Sequence, residues 1–349
     1  MKPLYLNRAG GIVDPQLTKL RVKNPSLLYR QFVGEMRSLL GLSMHDFLGF
    51  AQNATTSIIY ALTPILKKNN PFKILVSSHE IRWYKDLFSL GRLPIGETTY
   101  PNYAGQRKVA FIKKSMTVFD PHAFIKNPQK FLPSHRPAII VISHVSRLTG
   151  ELFMTPKIYR IIKRMHKDNI VIVDGCQAVG AIFVRPQSMS DIYVGVTSKF
   201  IGAEPHIGFY WVRSSLAKKY GIKPKSINLQ LFSRELYSAV HALRILRRTG
   251  MNISSIRSYF EKSLNKVHIP FLKMPAGQRH ILLIPAKRKK LSQIIEILEK
   301  KGIIAASNTS YSIREPVNPA LRISITPHME RKDVDYVVHA LEELKSGLI

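Results

Sequence analysis

Three short apolar runs constrain the fold of this chain more than any other feature: Ala138–Ser143 "AIIVIS", Ile170–Val173 "IVIV" and Ile192–Val196 "IYVGV". Each is too short for a stable helix and rich in β-branched residues, and none alternates polar with apolar positions. A strand with no polar face has to be covered on both sides. The stretches between the runs supply such cover: Pro156–Lys167 gathers Ile158, Ile161, Ile162 and Met165 on one helical face. Apolar strands separated by helices specify an α/β fold with a mostly parallel central sheet. Lys73–Ser77, Lys108–Ile112 and Gly208–Val212 are further strand candidates, and Ile58–Leu66 is a further helical one.

Past Gly221 the rhythm changes. A long helical stretch, Leu229–Arg248, is followed by a strand at His280–Pro285 and a helix at Leu291–Lys301. Strands at Ile303–Ala305 and Leu321–Ile325 and a helix at Arg331–Leu344 complete the series. This is the pattern of a smaller α+β unit. A length of 349 residues calls for about two domains. The expected division is an N-terminal segment 1–25, a large domain 26–228, and a linking helix with a small C-terminal domain over 229–349.

Composition narrows the function classes. The single cysteine, Cys176, rules out an intramolecular disulfide and a cysteine-only metal site, and no metal is expected. The start "MKPLYLNRAGG" has no long apolar region, and no run approaches the ~18 residues of a membrane span. A soluble, cytoplasmic chain is the expectation. Lys+Arg total 53 against 22 Asp+Glu, a formal charge of +31. Such a surface attracts an acidic protein or nucleic acid. A lineage bias toward basic residues is the competing explanation.

The chemistry gathers around "VIVDGCQAVG" (171–180) and "VTSKFIG" (196–202). Asp174 closes an apolar strand, and a carboxylate there can hold a cationic ring nitrogen protonated. Gln177 can donate to a phenolate oxygen on the same ring; Cys176 is read as packing. Lys199 follows the next strand, and its amine can form a Schiff base with an aldehyde. Thr197 and Ser198 offer hydroxyls to a phosphate. "QNATTS" (52–57) puts small residues at a helix start, where free N–H groups and the helix dipole favour an anion. A phosphate cradle, a ring-nitrogen partner and a covalent anchor are together what pyridoxal 5'-phosphate requires.

The segment "VDGCQAVG…SKFIGAEPHIGFYWVR" resembles the class V aminotransferase branch of fold type I pyridoxal-phosphate enzymes, which includes cysteine desulfurases, kynureninase and isopenicillin-N-epimerase-like proteins. "YLNRAG" (5–10), "NAT" (53–55), "SHVSRLTG" (143–150) and "LRIS" (321–324) resemble other segments of that family in the same order. The resemblance implies the fold type I architecture and a homodimer. It makes Lys199 the covalent anchor, Asp174 the partner of the ring nitrogen, and Gln177 the partner of the ring hydroxyl. Ala54 and Thr55 would take the phosphate, and Arg322 the α-carboxylate of an amino-acid-type substrate. Aminotransferase, lyase and epimerase outcomes all stay open.

Several positions depart from the family. Val196 and Ser198 stand where members commonly carry Ser and His, so Thr197 and Ser198 are the phosphate hydroxyls offered here. Arg147 stands where several desulfurases have Asn, and is a candidate second anion contact. "HEIRWY" (79–84) leaves the ring-stacking group open among Ile81, His79, Trp83 and Tyr84. "AASNTSYSIREPVNP" (305–319) holds no cysteine where desulfurases place their sulfur acceptor, which argues against that reaction. The alternative from another class is a non-catalytic protein that binds polyanions or acidic proteins on the same fold.

Overall fold

The three apolar runs become adjacent strands, and alternate residues along them feed two different cores. Ile140, Ile142, Val171 and Val173 pack into a large cluster on one face of the sheet. Ile139, Val141, Ile170 and Ile172 pack into a second cluster on the other. This two-sided burial is what their lack of a polar face demanded. The computed structural model describes residues 4–5, 24–68, 72–80, 84, 88, 116–132, 136–204, 207–229, 232–249, 253–273, 280–308, 319–327 and 329–348. The strand expected at Lys108–Ile112 lies outside the described residues.

In chain order the principal elements are β1 (Leu4–Tyr5), α1 (Pro25–Leu40), β2 (Phe47–Ala51), α2 (Ala54–Lys67), β3 (Lys73–Ser77), β4 (Met116–Phe119) and α3 (Pro121–Lys126). Then follow β5 (Ala138–Ser143), α4 (Thr155–Met165), β6 (Ile170–Asp174), β7 (Ile192–Val196), β8 (Gly208–Val212), α5 (Ser214–Tyr220), α6 (Ser233–Thr249) and α7 (Ile253–Lys266). The last are β9 (Ile281–Pro285), α8 (Arg288–Lys300), β10 (Ile303–Ile304), β11 (Ala306–Ser307), β12 (Ala320–Ser324) and α9 (Arg331–Glu343). The seven-stranded sheet has the order β2-β8-β7-β6-β5-β3-β4. Every pairing from β4 across to β7 is parallel, and only β8 runs the other way, between β7 and β2. A three-stranded antiparallel sheet, β11-β12-β9, carries the C-terminal part.

Among the elements that went unread in the sequence are α1, α7, β2 and β4. Helix α1 shows why. Asn24 caps it by accepting Leu27 N–H at 3.0 Å, Pro25 opens it, and Gly41 ends it in the left-handed region at φ 62°. Its buried face is a single narrow stripe, Leu28, Phe32, Met36 and Leu40, one residue per turn. So thin a stripe gives little periodic signal. Among the described residues no helix is long and apolar enough to cross a membrane.

Candidate active site

Strands β5, β6 and β7 run parallel and end together, so Ser143, Asp174 and Val196 meet at one edge. Strand β8 begins at that edge, with Gly208 opposite both Val196 and Ala51, the last residue of β2. The chain then enters α2 beside the ends of the parallel strands. A Cβ on Gly208 would collide with the Asn53 carbonyl and lie 2.7 Å from the Ala54 nitrogen. Only glycine lets the helix start sit so close.

Asn53 caps α2 by accepting the Thr56 N–H at 2.8 Å, and its carbonyl takes the Ser57 N–H at 3.0 Å. The N–H groups of Ala54 and Thr55 have no hydrogen-bond partner among the described residues. Two free donors on the positive end of a helix dipole form an anion cradle. The Thr197 hydroxyl donates instead to the Ile207 carbonyl at 3.3 Å and is fully buried. Ser198 is half-buried and has no such bond, so it is the freer hydroxyl of that pair.

Asp174 accepts the Cys176 N–H on Oδ1 at 2.9 Å and the Tyr84 hydroxyl on Oδ2 at 3.1 Å. Beside it, the Ser143 hydroxyl donates to Glu80 Oε1 at 2.7 Å, and Glu80 is 2% exposed. Burial, then the neighbouring Asp174, pushes the Glu80 carboxyl well above its usual range. Cys176 is buried, and burial pushes its thiol up; it is packing rather than a nucleophile. His144 is buried against the Tyr193 hydroxyl at 3.0 Å, and burial pulls its pKa to about 4.

The segment after Asp174 turns at Gly180, whose φ of +87° and closeness to the Phe200 backbone admit no side chain. The Asp and Lys loops therefore lie against each other. Lys199 has no hydrogen bond or ion pair among the described residues. Burial lowers its pKa; Cys176 and Asp174 oppose that shift, while Arg147 and Arg322 reinforce it. A larger share of neutral amine follows, as a nucleophile needs.

Arg322 lies on β12, 3% exposed, and no carboxylate pairs with it among the described residues. Its Nε is buried without a partner, and one terminal nitrogen donates to Gln177 Oε1 at 2.7 Å. Burial, then the charge of Arg147, lowers its pKa to about 9, so it stays a cation at neutral pH. The sequence reading assigned Gln177 to the ring hydroxyl and Arg322 to the substrate carboxylate; here the two side chains touch. Gln177 also accepts His280 Nε2 on its backbone carbonyl at 2.6 Å, which ties the small sheet to the Asp loop. Burial lowers His280 to about 3, so its proton sits on Nε2 and Nδ1 is a buried orphan acceptor. Arg147 is half-buried in the turn after β5, and its charge is felt by both Lys199 and Arg322.

Sequence reasoning missed the role of Glu80, Tyr84, His144 and His280. Glu80 and Tyr84 stand in the "HEIRWY" stretch, but Asp174 lies some 90 positions further along the chain, so no local spacing reveals that they meet. Ile81 and Trp83 lie outside the described residues. His79 turns to the Ser146 hydroxyl at 2.9 Å and to the Phe153 ring at 5.0 Å.

Residues 123–228 match the family model described as Aminotransferase class-V. No curated protein matches the chain. Among solved structures the chain is similar to a NifS-like protein, at 16% identity over 99% of each chain with a TM-score of 0.73. It is similar to the ureidoglycine–glyoxylate aminotransferase of Bacillus subtilis, at 13% identity over 99% of this chain and 93% of that one, TM-score 0.73. It is also similar to a protein described as SPT with PLP, at 12% identity over 91% of this chain and 76% of that one, TM-score 0.66. The fold is thus that of the fold type I enzymes.

Proposed function

We propose that this chain is an enzyme of the class V aminotransferase family, whose model matches residues 123–228, and that it uses pyridoxal 5'-phosphate to transform an amino-acid-type substrate at Cα. One observation carries the reading. Arg322 is a buried guanidinium with an orphaned Nε and no carboxylate partner among the described residues, and its charge is felt by the half-buried amine of Lys199. A fold keeps an unpaired buried charge at a cost of several kcal/mol, on the order estimated for one ion. A planar fork awaiting a carboxylate offsets that cost on binding.

The residues fit the cofactor. The Ala54 and Thr55 N–H groups, with the hydroxyls of Thr55 and Ser198, suit its phosphate. Asp174 suits its ring nitrogen, and the Gln177 amide N–H₂ its ring hydroxyl, since the amide oxygen is engaged by Arg322. When bound, the cofactor supplies an aldehyde that captures an amino group and a cationic ring that draws electrons away from Cα. Asp174 keeps a proton on the ring nitrogen. Arg322 takes the substrate carboxylate and so fixes which bond at Cα faces the reactive plane. Lys199 Nζ, its pKa lowered by burial, is the base that removes the Cα proton. Whether the outcome is transamination or epimerisation depends on where that proton is returned, whereas elimination requires that a substituent leave Cβ of the substrate.

The buried, protonated Cys176 and the lack of cysteine over 305–319 argue against persulfide chemistry. The proposal includes a cytoplasmic homodimer and the division 1–25, 26–228 and 229–349. The +31 surface suits an acidic protein or nucleic acid as partner. The direct test is addition of cofactor to the purified protein, followed by borohydride reduction and peptide mapping. A pyridoxyl adduct on Lys199 is expected; an adduct only on other lysines, or none, overturns the reading.

A further inference from the structure

Resting on the function proposed above, we propose that Arg147 and Arg322 form a paired guanidinium site that selects an amino acid with a second carboxylate, Arg147 reading the side-chain group. Both arginines are fastened to the same stretch of chain. The His144 N–H donates to the Asp174 carbonyl at 2.8 Å, at the foot of the turn that carries Arg147. Arg322 donates to Gln177 Oε1 at 2.7 Å, in the turn after Asp174. Arg147 follows β5 and Arg322 is tied to the residues after β6, and these two strands are neighbours.

The turn under Arg147 is a fixed frame. Ser146 is fully buried and organises it. Its hydroxyl accepts the Leu148 N–H at 3.1 Å and the Thr149 N–H at 3.0 Å. Its carbonyl accepts the Gly150 N–H, and its own N–H donates to the Glu151 carbonyl, both at 2.8 Å. Val145 and Leu152 close the turn as an antiparallel bridge. A half-buried cation on so rigid a frame is pre-organised for an anion, because little freedom is lost on binding.

The anions already assigned to the site leave Arg147 unmatched by the ligand. The α-carboxylate goes to Arg322, and Asp174 is committed to the ring nitrogen. Burial, then Asp174, pushes Glu80 toward its neutral form. The phosphate cradle at the start of α2 lies against Gly208 of β8. In the sheet β8 is three strand positions from β5, roughly 14 Å at the usual spacing. The charge of Arg147 is instead felt at Arg322, where after burial it is the next cause of the lowered pKa. Two guanidiniums in each other's field repel, and a ligand with two carboxylates relieves both at once. The competing role for Arg147 is a contact to the cofactor itself.

Calorimetry on apoprotein at low salt, with saturating inorganic phosphate filling the α2 cradle, separates the two roles. Succinate and glutarate are compared with their monoamides, succinamate and glutaramate, which keep the length and lose one charge. At least one of the two diacids should bind ~10–100-fold more tightly than its monoamide. Arg147→Gln should abolish that preference and leave the monoamide Kd unchanged, and Arg147→Lys should restore part of it. Arg322→Lys should weaken diacid and monoamide alike. In the cofactor-loaded protein, aspartate or glutamate should perturb the cofactor spectrum at lower concentration than asparagine or glutamine. Equal affinity for diacid and monoamide in the wild type, or a preference that survives Arg147→Gln, would overturn the proposal. If Arg147→Gln instead weakens cofactor binding and treats acidic and neutral ligands as the wild type does, Arg147 serves the cofactor and the proposal fails. A loaded wild type that responds to amino acids with no acidic preference leaves the proposed function standing and removes the substrate class. If the wild type takes up no cofactor, the functional reading fails while the apoprotein titrations still decide the paired site.

Discussion

The two ends of the parallel sheet both collect buried charge, but they treat it in opposite ways. At the N-terminal end, Asp191 precedes β7. It accepts Tyr159 Oη at 3.1 Å and Arg213 Nε at 3.3 Å on one oxygen, and Lys163 Nζ at 3.1 Å and the Val171 N–H at 3.0 Å on the other. Arg213 then donates to the carbonyls of Gln187 and Ser190, and Lys163 to that of Asn169. A cavity of about 360 Å³ opens there, but the buried charges on its wall are matched within the chain. At the C-terminal end, among the described residues, Lys199 has no hydrogen-bond or ion-pair partner and Arg322 has an orphaned Nε, and Glu80 is pushed toward its neutral form. A saturated cluster holds the fold together, whereas an unsaturated one waits for a ligand.

The largest consequence concerns Lys199. Lys199→Ala should lower turnover by roughly 10²–10⁴-fold, the range for loss of a general base, and abolish the reducible cofactor linkage. Thermal stability should hold or improve, because the amine has no partner to lose. Turnover within a few-fold of wild type would remove Lys199 from the chemistry.

The other end should respond in reverse. Asp191→Ala strips one member from a buried ion cluster and leaves Arg213 and Lys163 uncompensated. Such a loss costs about 3–5 kcal/mol. Denaturant unfolding should show it, while the protein that remains folded keeps its cofactor affinity. A loss under ~1 kcal/mol, or a selective loss of cofactor binding, would break the contrast between the two ends.

How far the sequence foretold these ends depended on how local each signal was. The core strands were legible because a run such as "AIIVIS" admits one environment. Asp174 and Lys199 were legible because the one closes such a strand and the other follows shortly after the next, and parallel strands end together. The Arg322–Gln177 bond was not, because it joins residues 145 positions apart, one in the turn after β6 and the other on β12. Tyr84 was hidden for the same reason, 90 positions from Asp174. Strand β2 was hidden otherwise: "FLGFA" has no special composition and becomes a strand only by pairing with β8.

Acid should weaken the ligand-binding end by a route open to measurement. His144 and His280 are buried and neutral there, with pKa values near 4 and 3 against 6.5 when free. Unfolded, both take up protons near pH 6.5; folded, neither does until far lower. The unfolded state therefore binds more protons across that window, so stability is present above about pH 6.5 and is lost as pH falls toward 4. Each imidazole contributes on the order of 3 kcal/mol over the window. In His280→Gln the slope of unfolding free energy between pH 6.5 and 4 should be flatter than in the wild type. Parallel slopes would show that His280 takes up its proton without unfolding.

The smallest effect is the most discriminating, because it sets Arg322 against Asp191 directly. Both are buried charges, 3% and 2% exposed. Asp191 has four donors, whereas Arg322 has one acceptor, a neutral amide. Arg322→Lys keeps the charge but loses the fork, and apparent affinity for an amino-acid substrate should fall ~10–100-fold, or ~1.5–3 kcal/mol. The cofactor spectrum should not change, since Arg322 faces the substrate. Arg322→Met removes an uncompensated buried cation and keeps most of its volume. It should leave stability unchanged or raise it by ~1 kcal/mol, the gain limited by the donor that Gln177 loses. The sign is opposite to that for Asp191→Ala. If Arg322→Met destabilises the fold as much as Asp191→Ala does, Arg322 is a structural cation like Arg213 and the substrate carboxylate has to bind elsewhere.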